Sequence, residues 1–282
     1  MKIAVITDSG SGLDKEQAEQ LGLYFLPLQI IENEKVYLDG YDVTCAEIFD
    51  MIRDEKSLKT SLPPVGMVDE LFKQLKKDGY DCGLFIPLTS GLSSTMQNVK
   101  MIADDTDFNL ICIECFTTCY IQQYIAISAK RLVEEGVELD EIVERLNNSI
   151  ADSNTLIIPD DLDHLKKGGR LTPLAAALGG MLKIKPVLKL NESSEGKIDT
   201  FAKVRTMSKA MKMAVDTFVS EGIDENYELA VLHTDAFESA QELKEMYFGK
   251  YPNNNTTFGL IGPVISVHTG IGCLGLQYIK KV

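Results

Sequence analysis

Positive charge is scarce in this chain. Across 282 residues, 28 Lys and Arg stand against 42 Asp and Glu, a formal net charge of -14. That balance excludes a broad basic surface for nucleic acid or an anionic membrane, while leaving room for a small basic patch. Long apolar runs are also missing. The start, Met1 to Asp8, has only a short apolar stretch before polar residues and lacks the apolar core of a signal peptide. No segment reaches the length needed to cross a bilayer, so the chain is expected to be cytoplasmic without an integral membrane segment. A second C-x-x-C is absent too. The six Cys, at 45, 82, 112, 115, 119 and 273, include Cys112-Ile113-Glu114-Cys115, with no His close by in sequence. Zinc and dithiol chemistry need converging thiolates, so packing thiols and no metal site are expected. There is no G-x-x-x-x-G-K-[ST], and no G-x-G-x-x-G after the first strand, which leaves the usual nucleotide sites unsupported. Gly91-Leu92-Ser93-Ser94-Thr95 lacks the second Gly of a hydrolase elbow, and no acid partner for a His base is evident.

What is present is an ordinary globular composition, 45% apolar, long enough for one large domain or two. Strand and helix patterns alternate through the first half. Strands are expected at Lys2–Thr7, Leu23–Ile31, Cys82–Leu88 and Phe108–Ile113. Helices are expected at 13–20, from Thr44, at Val65–Lys77, at Ser93–Ala103, and at 118–135 and 139–149. Thr44 with Glu47 three residues later is a capping-box pattern. This alternation predicts a mostly parallel α/β sheet covered on both faces. The second half changes style. A strand at Thr155–Ile158 precedes a helical stretch, Leu162–Leu182, interrupted at Gly168-Gly169 and Thr172-Pro173. A hairpin at 184–190 and 197–201 follows, then a helix at Arg205–Ser220. A strand at Glu228–His233, a helix at Ala236–Phe248, and strands near 256–261 and 264–268 complete the pattern. The fold is therefore expected to be α/β in two domains, 1–151 with a mostly parallel sheet and 152–282 with a mixed or antiparallel one.

Histidine is the rarest informative residue, found only at 164, 233 and 268. His268 lies in Ser266-Val267-His268-Thr269-Gly270-Ile271-Gly272, after an apolar run. A His beside a hydroxyl and two closely spaced glycines suits a sharp bend that lets a ligand approach, with donors for an anionic head group. A satisfied strand end fits the same residues. Two other polar turns add weight. Lys59-Thr60-Ser61-Leu62-Pro63-Pro64 precedes a helix, where the hydroxyls could equally be caps. Thr89-Ser90-Gly91-Leu92-Ser93-Ser94-Thr95 follows a buried strand and opens a helix, where free N–H groups and the helix dipole suit an anion; a Ser-capped helix is the alternative. Leu162 to Leu171, with Lys166, Lys167 and Arg170, is a local basic cluster, and Arg205 adds a cation at a helix start. Both suit a phosphate or acidic partner, or a solvated helix end.

In this order the segments resemble the DegV family across essentially the whole chain. The resemblance rests on Ile6-Thr7-Asp8-Ser9, Thr60-Ser61, Ser90 to Thr95, Leu162 to Leu171, Val204-Arg205 and His268 to Gly272. It implies two α/β domains with a fatty acid between them and no turnover by the chain alone. A separate kinase catalytic subunit would convert the bound carboxyl to an acyl phosphate. It further implies Thr60, Ser61, Ser93, Ser94, His268 and Thr269 as ligand-binding residues, with Thr60, Ser93 and His268 facing the carboxylate. Arg170 and Arg205 would lie near the head group or the kinase surface. No cofactor is implied beyond the long-chain fatty acid as ligand. The tail would need an apolar cavity, for which Leu174–Leu182 is the expected lining. The chain departs from the family where Thr-Ser-Gln-Pro-Ser is usual and Thr60-Ser61-Leu62-Pro63-Pro64 stands. It departs again at Glu114 to Cys119, where an Asp-Ser segment and a Gly-rich helix start are usual. Rival readings from the residues are a phosphotransferase or hydrolase at Ser93 and His268, or a lipid-responsive regulatory module.

Overall fold

The computed structural model describes residues 1–179 and 184–282. In its first half the elements run β1 (Ile3–Asp8), α1 (Lys15–Gln20), β2 (Tyr24–Leu26), β3 (Gln29–Glu32), β4 (Lys35–Leu38), α2 (Cys45–Arg53), β5 (Leu58–Ser61), α3 (Val65–Lys77), β6 (Cys82–Ile86), α4 (Thr95–Asp105), β7 (Leu110–Cys112), α5 (Tyr120–Glu134) and α6 (Leu139–Ala151). The second half continues with β8 (Ser153–Ile158), α7 (Leu162–Lys167), α8 (Pro173–Ala176), β9 (Lys185–Lys189), β10 (Asp199–Val204), α9 (Met207–Ser220), β11 (Tyr227–His233), α10 (Phe237–Phe248), β12 (Asn255–Leu260), α11 (Pro263–Thr269) and β13 (Leu274–Lys280).

Four strands form a parallel sheet in the order β2-β1-β6-β7. Every residue of β6 is buried, as expected of a strand covered on both faces. Ile121, Ile125, Ala129 and Leu132 of α5 pack on one face with Val5 and Leu84. Val68, Phe72 and Leu75 of α3, with Val99 of α4, pack on the other against Ile6 and Phe85. Thr44 and Glu47 form the reciprocal capping box that their spacing indicates.

A six-stranded mixed sheet follows, in the order β10-β9-β8-β13-β11-β12. The β9–β10 hairpin pairs antiparallel from Lys185↔Val204 to Asp199↔Lys189. Only the β11–β12 pair is parallel. Phe218 of α9 and Tyr247 of α10 are fully buried beneath this sheet. The chain thus has the two-domain α/β fold, one sheet parallel and one mixed.

Three expectations are corrected. The single strand at Leu23–Ile31 is two strands in different sheets, separated at Pro27-Leu28. β3 joins β4 and β5 in a small antiparallel sheet of order β4-β3-β5, so Lys59-Thr60-Ser61 is strand rather than loop. The helical stretch from Leu162 is interrupted where expected, at Gly168-Gly169 and before Pro173, giving α7 and α8, and its part at 180–182 lies outside the described residues. The strand expected at 264–268 is the helix α11, with Pro263 in its first turn, where a missing N–H costs nothing, and Gly270 ending it at φ 74°. Finally β13, not anticipated, lies between β8 and β11 and pairs antiparallel with both.

Candidate ligand-binding site

α11 is the element that builds the site. It leaves the mixed sheet after β12 and packs among α2, β5 and α7, so it belongs to both halves of the molecule. Its last turn carries His268. The imidazole Nε2 lies 2.7 Å from the Thr60 hydroxyl of β5, while the buried Nδ1 has no hydrogen-bond partner among the described residues. Burial, and then the Arg170 charge nearby, push the His268 pKa down to about 4. The ring is neutral at physiological pH and offers one N–H. Gly168 sits flat against it: a Cβ at 168 would stand 3.0 Å from Nδ1. His164 of α7 holds the same helix through a 3.0 Å contact between its Nε2 and the Val267 carbonyl.

The second wall is the turn between β6 and α4. Thr89 is buried, its hydroxyl 3.3 Å from the Gly196 carbonyl in the β9–β10 turn. That crossing requires Gly91, because a Cβ there would stand 2.2 Å from the Gly196 oxygen. Ser93 Oγ lies 2.8 Å from Thr95 Oγ1 and accepts from the Thr95 N–H at 3.3 Å. Ser94 begins α4 without capping it by its side chain.

These walls enclose a cavity of about 470 Å³. Thr60, Ser61, Ser93, Ser94, His268 and Thr269 all line it, and so does Arg170. Its apolar lining comes from Leu28, Leu88, Ile198, Val264 and Ile265. None of the described residues between 174 and 179 lines it, contrary to expectation. Leu174 points largely to solvent and Ala175 packs in the core beside Leu188. The rest of that expected lining, 180–182, lies outside the described residues. The actual lining is not legible in the sequence because these apolar residues come from four separate segments, joined only by the fold. A smaller apolar cavity of about 30 Å³ continues beyond Ile265 and Thr269, against Cys119, Ile157, Leu190 and Leu232.

On its other side the site opens into a wide basin of about 980 Å³, which shares Thr60, Arg170 and His268 with the inner cavity. Five cations line the basin, Arg53, Lys56, Lys59, Lys167 and Arg170, against the acids Glu55 and Asp161. Arg53 pairs with Asp50 and Asp235, and Lys56 with Glu32 at 3.0 Å, so the excess positive charge of the basin rests on Lys59, Lys167 and Arg170. Arg170 stands at the junction, donating to the Gly168 carbonyl at 2.7 Å and the Leu92 carbonyl at 3.5 Å. Arg205 is exposed between β10 and α9 and lines neither space.

The arrangement suits one buried carboxylate better than acyl-transfer chemistry. A carboxylate leaving water needs several donors, and hydroxyls with one imidazole N–H supply them. A Ser–His pair would need the His held by an acid, yet Nδ1 of His268 is unpartnered among the described residues and Ser93 Oγ turns to Thr95. Among the described residues, no cluster of His, Cys, Asp and Glu is placed to hold a metal ion. Burial pushes the Cys112 thiol up to about 11 and the Cys119 thiol up to about 12, as befits packing thiols. No described helix is long and apolar enough to cross a membrane.

Known proteins share this arrangement of chain. Residues 2–281 match the model of a family described as uncharacterised proteins of the DegV family. A DegV domain-containing protein of Listeria innocua is 32% identical over 283 residues, covering 99% of each sequence. The crystal structure of a fatty acid binding DegV family protein from Streptococcus agalactiae superposes with a TM-score of 0.90 at 30% identity, over 100% of both chains. That of DegV, a fatty acid binding protein from Bacillus subtilis, gives 0.88 at 30% identity, again over 100% of both.

Proposed function

Because this chain belongs to the DegV family, we propose that it is a fatty-acid-binding protein that presents the carboxylate of a buried long-chain fatty acid to a separate kinase subunit. One observation carries the reading: six hydroxyl and imidazole side chains from three distant segments converge with Arg170 on one cavity that is apolar on its other walls. Its volume of about 470 Å³ is within the usual range for small-molecule sites. The carboxylate lies at Thr60 and His268, with Ser61, Ser93, Ser94 and Thr269 around it. The tail runs past Ile265 toward Cys119. The resemblance of this chain to two fatty acid binding proteins at 30% identity supports the ligand class.

The basin supports the second half of the proposal. A kinase subunit, or the phosphoryl group it delivers, brings negative charge, and Lys59, Lys167 and Arg170 meet it where the carboxylate emerges. Arg205 is proposed for the outer partner surface only. The chain itself then turns nothing over. A division into residues 1–151 and 152–282, and a cytoplasmic place of action, belong to the same proposal. Solvent extraction of the purified protein with mass spectrometry tests it, one long-chain fatty acid per chain being the expected result. A protein that is empty, and that takes up no fatty acid between C12 and C20, refutes it.

A further inference from the structure

α11 begins without a cap of its own. Its N-cap is Gly262, and no side chain from its own segment meets its first N–H groups. The partner comes from far away in sequence. Asp39, in the segment between β4 and α2, accepts the Val264 N–H at 3.2 Å through Oδ2. This carboxylate is 1% exposed. Its backbone is fixed as well: the Asp39 N–H donates to the Leu28 carbonyl at 2.9 Å, and the Leu28 N–H donates to Ser9 Oγ at 3.1 Å. Gly262 lies close on the Ser9–Gly12 turn, where an added Cβ would stand 3.2 Å from the Gly12 Cα.

The surroundings make this carboxylate costly. Asp8 of β1 is the nearest like charge, fully buried and already holding the Gly10 and Leu88 N–H groups and the Gln122 amide. Cys45 of α2 faces Asp39 as a protonated thiol, and Ser9 adds a hydroxyl. Among the described residues, no Lys, Arg or His bonds to either acid. A buried carboxylate without a cation is destabilising, so its presence here calls for a role in this position.

From Val264 to His268 is four residues, or about 6 Å along the helix axis. The helix has seven residues and is held at its far end by His164. Movement at one end therefore reaches the other. We infer that Asp39 is a positioning residue: by capping α11 from the other half of the chain, it sets His268 against Thr60 and so determines the geometry of carboxylate recognition. This rests on the fatty-acid reading for its functional meaning, but the placement of His268 is measurable without any ligand.

The experiment compares the wild type, Asp39→Ala and Asp39→Asn after lipid removal. Oleate affinity is read by displacement of a fluorescent fatty acid, and the His268 ring by ¹⁵N NMR, assigned with His268→Gln. Loss of a helix cap predicts about tenfold weaker oleate binding in Asp39→Ala. The His268 signals should move in the same variant. Asp39→Asn keeps an acceptor for the Val264 N–H and should restore both readouts, which a generally loosened core would not do. Asp39→Ser, too short to reach Val264, takes the place of the Ala variant if that one does not fold. Unchanged affinity and unmoved His268 signals in the Ala or Ser variant overturn the inference. So does an Asn variant as impaired as Ala. If the wild type itself binds no oleate, the fatty-acid reading fails, and the His268 signals alone decide whether Asp39 positions the ring.

Discussion

The two buried acids predict an unusual dependence of stability on pH. Burial pushes Asp39 up to about 7 and Asp8 up to about 6, from an ordinary value of 3.8. An acid whose pKa is raised by folding keeps its proton in the native state where the unfolded chain has lost it. Its contribution is complete below the unfolded pKa and is lost as pH rises through the folded one. For Asp39 the full loss is about 4 kcal/mol between pH 4 and 8. His268 acts in the opposite direction. Its folded pKa is near 4, so stability increases as pH rises from about 4 to the ordinary histidine value of 6.5. The two effects overlap below pH 6.5. Above it the acids dominate: between pH 6.5 and 8 Asp39 loses about 0.8 kcal/mol and Asp8 about 0.2, while His268 still returns about 0.4, a net loss of about 0.6 kcal/mol, or about 1.5 °C in Tm for a chain of this size. Asp39→Asn removes the titration. Its Tm should stay level over that interval, and at pH 8 it should exceed the wild type by at most about 4 kcal/mol of stability. Thermal unfolding followed by circular dichroism at half-unit steps from pH 5 to 9 reads both curves. A wild-type Tm that is flat or rising from pH 6.5 to 8, or a variant whose curve runs parallel to the wild type, refutes the reasoning.

Three other outcomes are expected. Thr60→Val and His268→Ala each remove a group from the proposed carboxylate site and should weaken oleate binding by about 1.5–3 kcal/mol, seen as a smaller oleate-induced rise in Tm. Arg170→Glu should keep its fatty acid, by mass spectrometry of the extract, while losing most acyl-phosphate formation with labelled ATP and the cognate kinase subunit; loss of the lipid would instead show that Arg170 holds the carboxylate. Cys119 begins α5 at φ 60° and ψ -132°, a conformation suited to glycine. Cys119→Gly should therefore be more stable than Cys119→Ala by about 1–3 kcal/mol in urea unfolding, since only glycine releases the strain.

How much of this was legible in the sequence follows from where each signal resides. Local signals were read well. α3 spans Val65–Lys77 as its apolar spacing indicates, and the Thr44–Glu47 box forms. The parallel half announces itself by alternation of strand and helix. The polar turns at 60–61, 93–94 and 268–269 were each weak, and the fold brings all six residues to one cavity. What stayed hidden depends on partners far away in the chain. β13 is buried on both faces through its first six residues, so it shows no alternation, and Gly275 and Gln277 disguise it further. α11 looked like a strand because Val264, Ile265 and Val267 favour strands, although Pro263 after Gly262 is a helix-start signal. The bend that His268-Thr269-Gly270 indicates is there, but it ends a helix rather than a strand. Asp39 is the extreme case. Tyr37-Leu38-Asp39-Gly40-Tyr41-Asp42 reads as a polar turn with two solvated acids. Yet Asp42 stays in its own turn, donated to by the Leu38 N–H at 3.1 Å, whereas Asp39 is buried and reaches a helix 225 residues away. A single-chain pattern records the acid and the turn. Only the packing of α11 between the two halves turns that acid into a cap, which is why its effect on His268 follows from the structure.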